Sequence, residues 1–131
     1  MNKRLLGLTL ALSAVLASVN ISFAADERIT NTEETDVISG KTFENIDISA
    51  KGNVQDGYGS GVYNTGTIKS LTNNTYSGNK AYNGGGLYNS GIIDAIENEV
   101  YSNNSATLAG GAITNLATIN TINATFTNNS V

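Results

Sequence analysis

A block of six residues occurs three times along this chain at nearly constant spacing, and no other feature limits its folding as strongly. Gly59-Ser60-Gly61-Val62-Tyr63-Asn64 recurs 25 residues later as Gly84-Gly85-Gly86-Leu87-Tyr88-Asn89. It recurs 26 residues after that as Gly110-Gly111-Ala112-Ile113-Thr114-Asn115. Ile68, Ile93 and Ile119 follow at matching places, then Leu71, Ile96 and Ile122. Tyr76, Tyr101 and Phe126 stand 25 apart in each step, as do Asn79, Asn104 and Asn129. One residue inserted near Gly110 is thus offset by one deleted before Phe126. Three units span residues 59–131. A unit this short cannot bury its own apolar side chains; it covers them with those of its neighbours.

The repeat does not read as helical. Gly, Asn and Thr fall every few positions and weaken helices. The apolar residues come in clusters of one to three, often β-branched, between turn formers, which is the pattern of very short strands. Each unit has room for three, around Val62-Tyr63, around residues 68–71 and around Tyr76. If each strand pairs in parallel with its copy one repeat away, about 4.8 Å off, the chain is all-β. It is then expected to form a right-handed parallel β-helix of three to four short turns. A disordered repeat is the alternative. A propeller blade needs about 40 residues and does not fit.

Stacking gives the recurring residues their places. Ile68, Ile93 and Ile119 form one internal apolar column; Leu71, Ile96 and Ile122 form a second. Tyr76, Tyr101 and Phe126 form an aromatic column. Asn79, Asn104 and Asn129 make an amide ladder at one bend, and Asn64, Asn89 and Asn115 make another. The paired glycines permit positive φ and close approach of backbone. Strand alternation lets only one of Val62 and Tyr63 face inward, and the sequence leaves that open.

Upstream, the pattern changes. Residues 25–36 crowd Glu27, Glu33, Glu34 and Asp36 among threonines, which reads as an acidic, mobile lead-in. Residues 37–58 carry Val37, Ile38, Phe43, Ile46 and Ile48, enough for one or two strands of an irregular capping coil. Residues 52–57 read as a turn-rich connection. Residues 1–24 have the order of a secretory signal peptide: Lys3 and Arg4, an uncharged apolar run over 5–17, then Ser22-Phe23-Ala24 with small residues at the recognition positions. The run is too short to span a bilayer. Cleavage is expected after Ala24. An exported location follows, at the cell surface or outside the cell.

What is missing narrows the chemistry. The chain has no cysteine and no histidine. Disulfides, the commonest metal ligand and every Ser-His or Cys-His arrangement are therefore excluded. Beyond Ala24, five basic residues face 11 acidic ones. A chain so acidic is a poor partner for nucleic acid. Asp47, Asp56 and Asp94 are the acids to consider for calcium, but they fall in different units and show no convergence. Asp56-Gly57 is a turn pair. Lys69 and Lys80 read as exposed charges. Asn73, Asn103, Asn123 and Asn128 lie in Asn-x-Ser/Thr triplets, which are glycan acceptors only in a eukaryotic secretory context and arise by chance in so polar a sequence. No phosphate loop, zinc spacing or nucleophile elbow occurs. No catalytic, cofactor or metal residue is assigned, and no enzyme activity is expected.

The repeats resemble those of autotransporter passenger domains and of the polymorphic outer membrane proteins of chlamydiae. Those families carry a Gly-Gly-Ala-Ile tetrad and a Phe-x-x-Asn tetrad in each repeat. Gly110-Gly111-Ala112-Ile113 and Phe126-Thr127-Asn128-Asn129 match outright. Gly85-Gly86-Leu87-Tyr88 with Tyr101-Ser102-Asn103-Asn104, and Ser60-Gly61-Val62-Tyr63 with Tyr76-Ser77-Gly78-Asn79, match loosely. The resemblance covers about residues 43–131 and implies a surface-exposed β-helical passenger, structural or adhesive, meeting host or cell-surface ligands. Passengers of this type are delivered through a C-terminal barrel. None is present up to Val131, so the expectation is a fragment of a larger adhesin, periplasmic if the barrel is truly lacking. Its uncapped last turn is expected to self-associate. The competing expectation is a remnant of a pectate-lyase-like enzyme acting on polysaccharide, which clustered acids would favour.

Overall fold

The computed structural model describes residues 25–131. The signal peptide and its cleavage site, residues 1–24, lie outside the described residues. Twelve strands account for most of the described chain, with two single 3₁₀ turns at Ser49–Lys51 and Gln55–Gly57. The described residues contain no α-helix, and hence no helix long and apolar enough to cross a membrane.

The first unit contributes β1 (Ile29–Asn31), β2 (Glu34–Ser39) and β3 (Thr42–Glu44). The second contributes β4 (Val62–Asn64), β5 (Thr67–Thr72), β6 (Thr75–Ser77) and β7 (Lys80–Asn83). The third contributes β8 (Leu87–Asn89), β9 (Ile92–Ser102) and β10 (Ser105–Ala109), and the last β11 (Ile113–Asn115) and β12 (Thr118–Thr127). Every strand pairing is parallel. One sheet runs β1-β4-β8-β11; β7 pairs with β10; β2, β5, β9 and β12 pair in succession, with β3 and β6 aligned to the second half of β9. Each unit therefore lies against the next with equivalent residues in register.

The register puts the expected columns in place. Ile68 is opposite Ile93, which is opposite Ile119; Leu71 is opposite Ile96, which is opposite Ile122. Ile68, Leu71, Ile93 and Ile96 are fully buried. The first unit extends the second column with Ile38 and the aromatic column with Phe43. Each buried Leu or Ile is worth about 1.5–3 kcal/mol relative to exposure. Four rings, Phe43, Tyr76, Tyr101 and Phe126, stack at centroid separations of 5.0, 4.2 and 5.2 Å. The compensating indels are also visible. An extra residue lies in β10 between Ala106 and Ala109, and β12 has no counterpart of Asn98, which falls at the register shift between Asn123 and Ala124.

Several expectations need correction. The acidic segment 25–36 is not a free lead-in. Asn31 and Thr35 meet Asn64 and Ile68 across parallel ladders, so backbone pairing overrides a composition that looks unstructured. Arg28 holds this segment down. It donates to the carbonyls of Gly59, Tyr58 and Gln55 at 2.8, 2.6 and 2.9 Å, and its guanidinium lies 5.3 Å from the centre of the Tyr63 ring. The second and third units also hold a further extended segment, β7 and β10, beyond the three expected. The first unit is longer than the rest: Asn31 to Asn64 is 33 residues, whereas Asn64 to Asn89 is 25. The excess is an excursion between Asp47, bridged to Lys80, and Tyr58, bridged to Asn83.

Val62 is the inward residue; it belongs to the core cluster. Tyr63 takes the opposite face, where it stacks on Tyr88 at 5.5 Å, and Tyr58 stacks on Tyr88 at 4.7 Å. An apolar strand with an aromatic cover on its outer side buries both alternating positions.

Candidate functional site

Three rows of polar side chains run along the stack and bind unit to unit. At the corner between β4 and β5, Asn31, Asn64 and Asn89 each donate through Nδ2 to the Oδ1 of the next asparagine, at 2.8 Å, ending on Asn115. After the aromatic column, Asn79 donates to Asn104 and Asn104 to Asn129 at 3.0 Å. Each of these amides also reaches back to the carbonyl of an aromatic residue one unit earlier: Phe43, Tyr76 and Tyr101, at 2.9 Å. Buried amides are tolerated here because each is satisfied.

The residue before that second ladder is left-handed in all units: Asn45, Gly78, Asn103 and Asn128, with φ of 53, 65, 55 and 53°. Asn and Gly replace one another here because both accept that conformation. Asn73 has φ 57°. Asn73, Asn103 and Asn128 thus owe their positions in Asn-x-Ser/Thr triplets to corner geometry, while Asn123 lies within β12.

The third row is different in kind. The backbone N–H of Lys41 donates to Asn74 Oδ1 at 2.9 Å, and that of Asn74 donates to Glu99 Oε2 at 3.0 Å. In the last unit this place belongs to Ala124. Glu99 Oε1 accepts from the Tyr101 hydroxyl at 3.0 Å. Glu99 is 1% exposed and is the only acidic or basic side chain among the buried described residues. Burial pushes its carboxyl above the ordinary carboxylate range, outweighing the hydrogen bonds it accepts.

The chain matches no family model, no curated protein and no solved structure.

The acids weighed for calcium do not meet. Asp47 accepts from the Ser49 hydroxyl and amide at 2.6 and 3.0 Å, which lowers its pKa. Asp56 sits in the second 3₁₀ turn, and Asp94 accepts from Asn120 at 3.1 Å. No group of three or more Asp, Glu, His or Cys suited to a metal ion occurs among the described residues. Lys69 is exposed and pairs with Glu34 and Asp36 at 3.2 and 3.6 Å, which raises its pKa. Lys80 is exposed at the start of β7.

The free edge is the other candidate. β12 pairs with β9 on one side only. Here the columns open: Ile122 is 51% and Phe126 48% exposed, and Leu116 and Val131 are exposed too. At the opposite end β1 and β2 also pair on one side only, but local hydrogen bonds tie the first unit together. Thr35 Oγ1 donates to Asn31 Oδ1 at 2.6 Å, and Asp26 exchanges hydrogen bonds with Thr42. The sequence reading located the edge but not Glu99. The repeat alignment holds the signal: a glutamate aligned with Asn74 and Ala124, in a place where backbone donors need an oxygen.

Proposed function

We propose that this chain is an exported, non-enzymatic surface segment, folded as a right-handed parallel β-helix of passenger type, with a structural or adhesive role. The observation that carries the reading is the in-register parallel pairing of successive units, with two continuous asparagine ladders along it. Such a stack offers long faces of repeated side chains and a rigid frame, and it has little place for a converging catalytic group. The signal-like order of residues 1–24 supports export. Attachment to host or cell-surface ligands would use the exposed sheet faces. The free β12 edge is the place for self-association, and the acidic balance speaks against nucleic acid.

Expression of the whole chain in a Gram-negative host, followed by fractionation and intact-mass analysis, tests this reading. The expected product begins at Ala25 and is found outside the cytoplasm. Full-length protein held in the cytoplasm would overturn it. The dispersed positions of Asp47, Asp56 and Asp94 give no support to a polysaccharide-acting enzyme.

A further inference from the structure

Glu99 stands in a row that an amide would serve. Asn74 fills the equivalent place one unit earlier and takes the Lys41 N–H on its own oxygen. Holding the Asn74 N–H therefore does not require a carboxylate. What Glu99 adds is a second oxygen, placed against Tyr101. Beside it lies Tyr76, stacked on Tyr101 at 4.2 Å with planes 7° apart. The Tyr76 hydroxyl is the one buried side-chain polar atom without a hydrogen-bond partner among the described residues.

Among the described residues no cation pairs with this carboxylate. The ion pairs among the described residues join Lys41 to Asp26 and Lys69 to Glu34 and Asp36. From its own strand the ionisable group facing Glu99 is Tyr101. From β6 and the corner before it come Tyr76 and the neutral Asn74. From β12 come Ala124 and Phe126, which do not ionise. Lys41, one unit further on, contributes its backbone N–H to Asn74. Both tyrosines are pushed well above their ordinary range, chiefly by burial, so they keep their protons. A lone buried carboxylate is strongly disfavoured against its neutral form.

We propose that Glu99 is a proton-binding site: the folded stack holds its carboxyl group neutral, and loss of that proton loosens the middle of the stack. In the neutral form the Glu99 O–H donates to the Tyr101 oxygen. The Tyr101 hydrogen is then free to turn towards the Tyr76 oxygen, and Oε2 still accepts the Asn74 N–H. One proton thus gives a partner to the hydroxyl that lacks one. Ionisation reverses the Tyr101 hydroxyl onto Oε1 and leaves a buried charge between units.

The sign is fixed. A carboxyl group with its folded pKa above its unfolded one binds more protons when folded. Stability is therefore greatest in mild acid and falls as pH rises, until the folded group has ionised. Asp47, with its pKa lowered, acts in the opposite direction, and only in stronger acid. Urea unfolding of residues 25–131, from about pH 5 to about pH 8, should show the unfolding constant rising by up to about tenfold per pH unit, the slope for one proton. In Glu99→Gln that rise should vanish. Infrared spectra of protein with isotope-labelled glutamate should show a protonated carboxyl band that persists above the pH at which ordinary glutamates ionise, and that is absent there from Glu99→Gln. Should Glu99→Gln fail to fold, Tyr76→Phe removes the hydroxyl that gains a partner only when Glu99 is neutral, and should end the loss of stability at lower pH. A wild-type stability that is flat or rising over this range, or no such persisting band in the folded protein, would overturn the proposal.

Discussion

Asn64 Nδ2 lies 2.8 Å from Asn89 Oδ1, and both side chains are fully buried. Asn89 in turn donates to Asn115, and its Oδ1 also accepts the Gly91 N–H at 3.2 Å. Replacing Asn89 by Leu would leave two donors, Asn64 Nδ2 and the Gly91 N–H, without this acceptor. An unsatisfied buried donor costs about 1–3 kcal/mol. Asn89→Leu should therefore lower the urea midpoint strongly. Asn115→Ala, at the exposed end of the same ladder, should lower it little. Equal losses would mean that the ladder does not carry stability through burial.

The inner columns give a second comparison. Ile96 is fully buried between Leu71 and Ile122, whereas Lys69 on the neighbouring strand is exposed. Ile96→Asp would bury a carboxylate with no partner and should cost several kcal/mol or prevent folding. Lys69→Ser removes only exposed ion pairs and should cost under about 1 kcal/mol. Denaturation curves for the two variants check this; comparable midpoints would contradict the inward placement of Ile96.

A third variant tests the close approach under the aromatic column. A Cβ at Gly61 would lie 2.6 Å from Cδ1 of Tyr76, and one at Gly86 would lie 3.0 Å from the same atom of Tyr101. The last unit already carries Ala112 at this place. Gly61→Ala should destabilise by about 1–3 kcal/mol, the usual range for overpacking. Gly86→Ala should cost less. The reverse order in thermal melts would show that the ring above Gly61 is free to move.

The columns and ladders were legible because stacking forces equivalent residues into contact, so a repeat in sequence is a contact in space. Ile68, Ile93, Tyr76, Tyr101, Asn79 and Asn104 could be placed from spacing alone. The first unit was not legible. Thr35, Phe43 and Asn31 pair with Ile68, Tyr76 and Asn64, yet Asp47–Tyr58 holds an excursion that breaks the period. With the period broken, Glu33, Glu34 and Asp36 dominate the local composition and hide the strand beneath them. Val62 and Tyr63 could not be separated because the structure covers both faces of that strand. Glu99 escaped notice because one residue deleted in the last unit obscures its alignment with Ala124.

The free edge of β12 supplies the last prediction. Its ten residues, Thr118–Thr127, pair with β9 and leave the other row of N–H and C=O groups uncovered within residues 25–131. Such an edge is a template for another strand unless charge or proline discourages it. No Lys, Arg, Asp, Glu or Pro occurs after Glu99. The apolar side chains of Ile122 and Phe126 lie open beside it, ready to continue the columns. The acidic residues that would repel a second copy, such as Glu34 and Asp36, belong to the opposite end of the stack. Purified residues 25–131 should therefore associate as concentration rises. Lysine at Thr118 and Thr125, both exposed on this strand, should shift the protein back towards monomer without lowering its urea midpoint. Sedimentation velocity across a concentration series decides the matter. A monomer at every concentration, unaffected by the lysines, would show that the β12 edge is not a pairing surface.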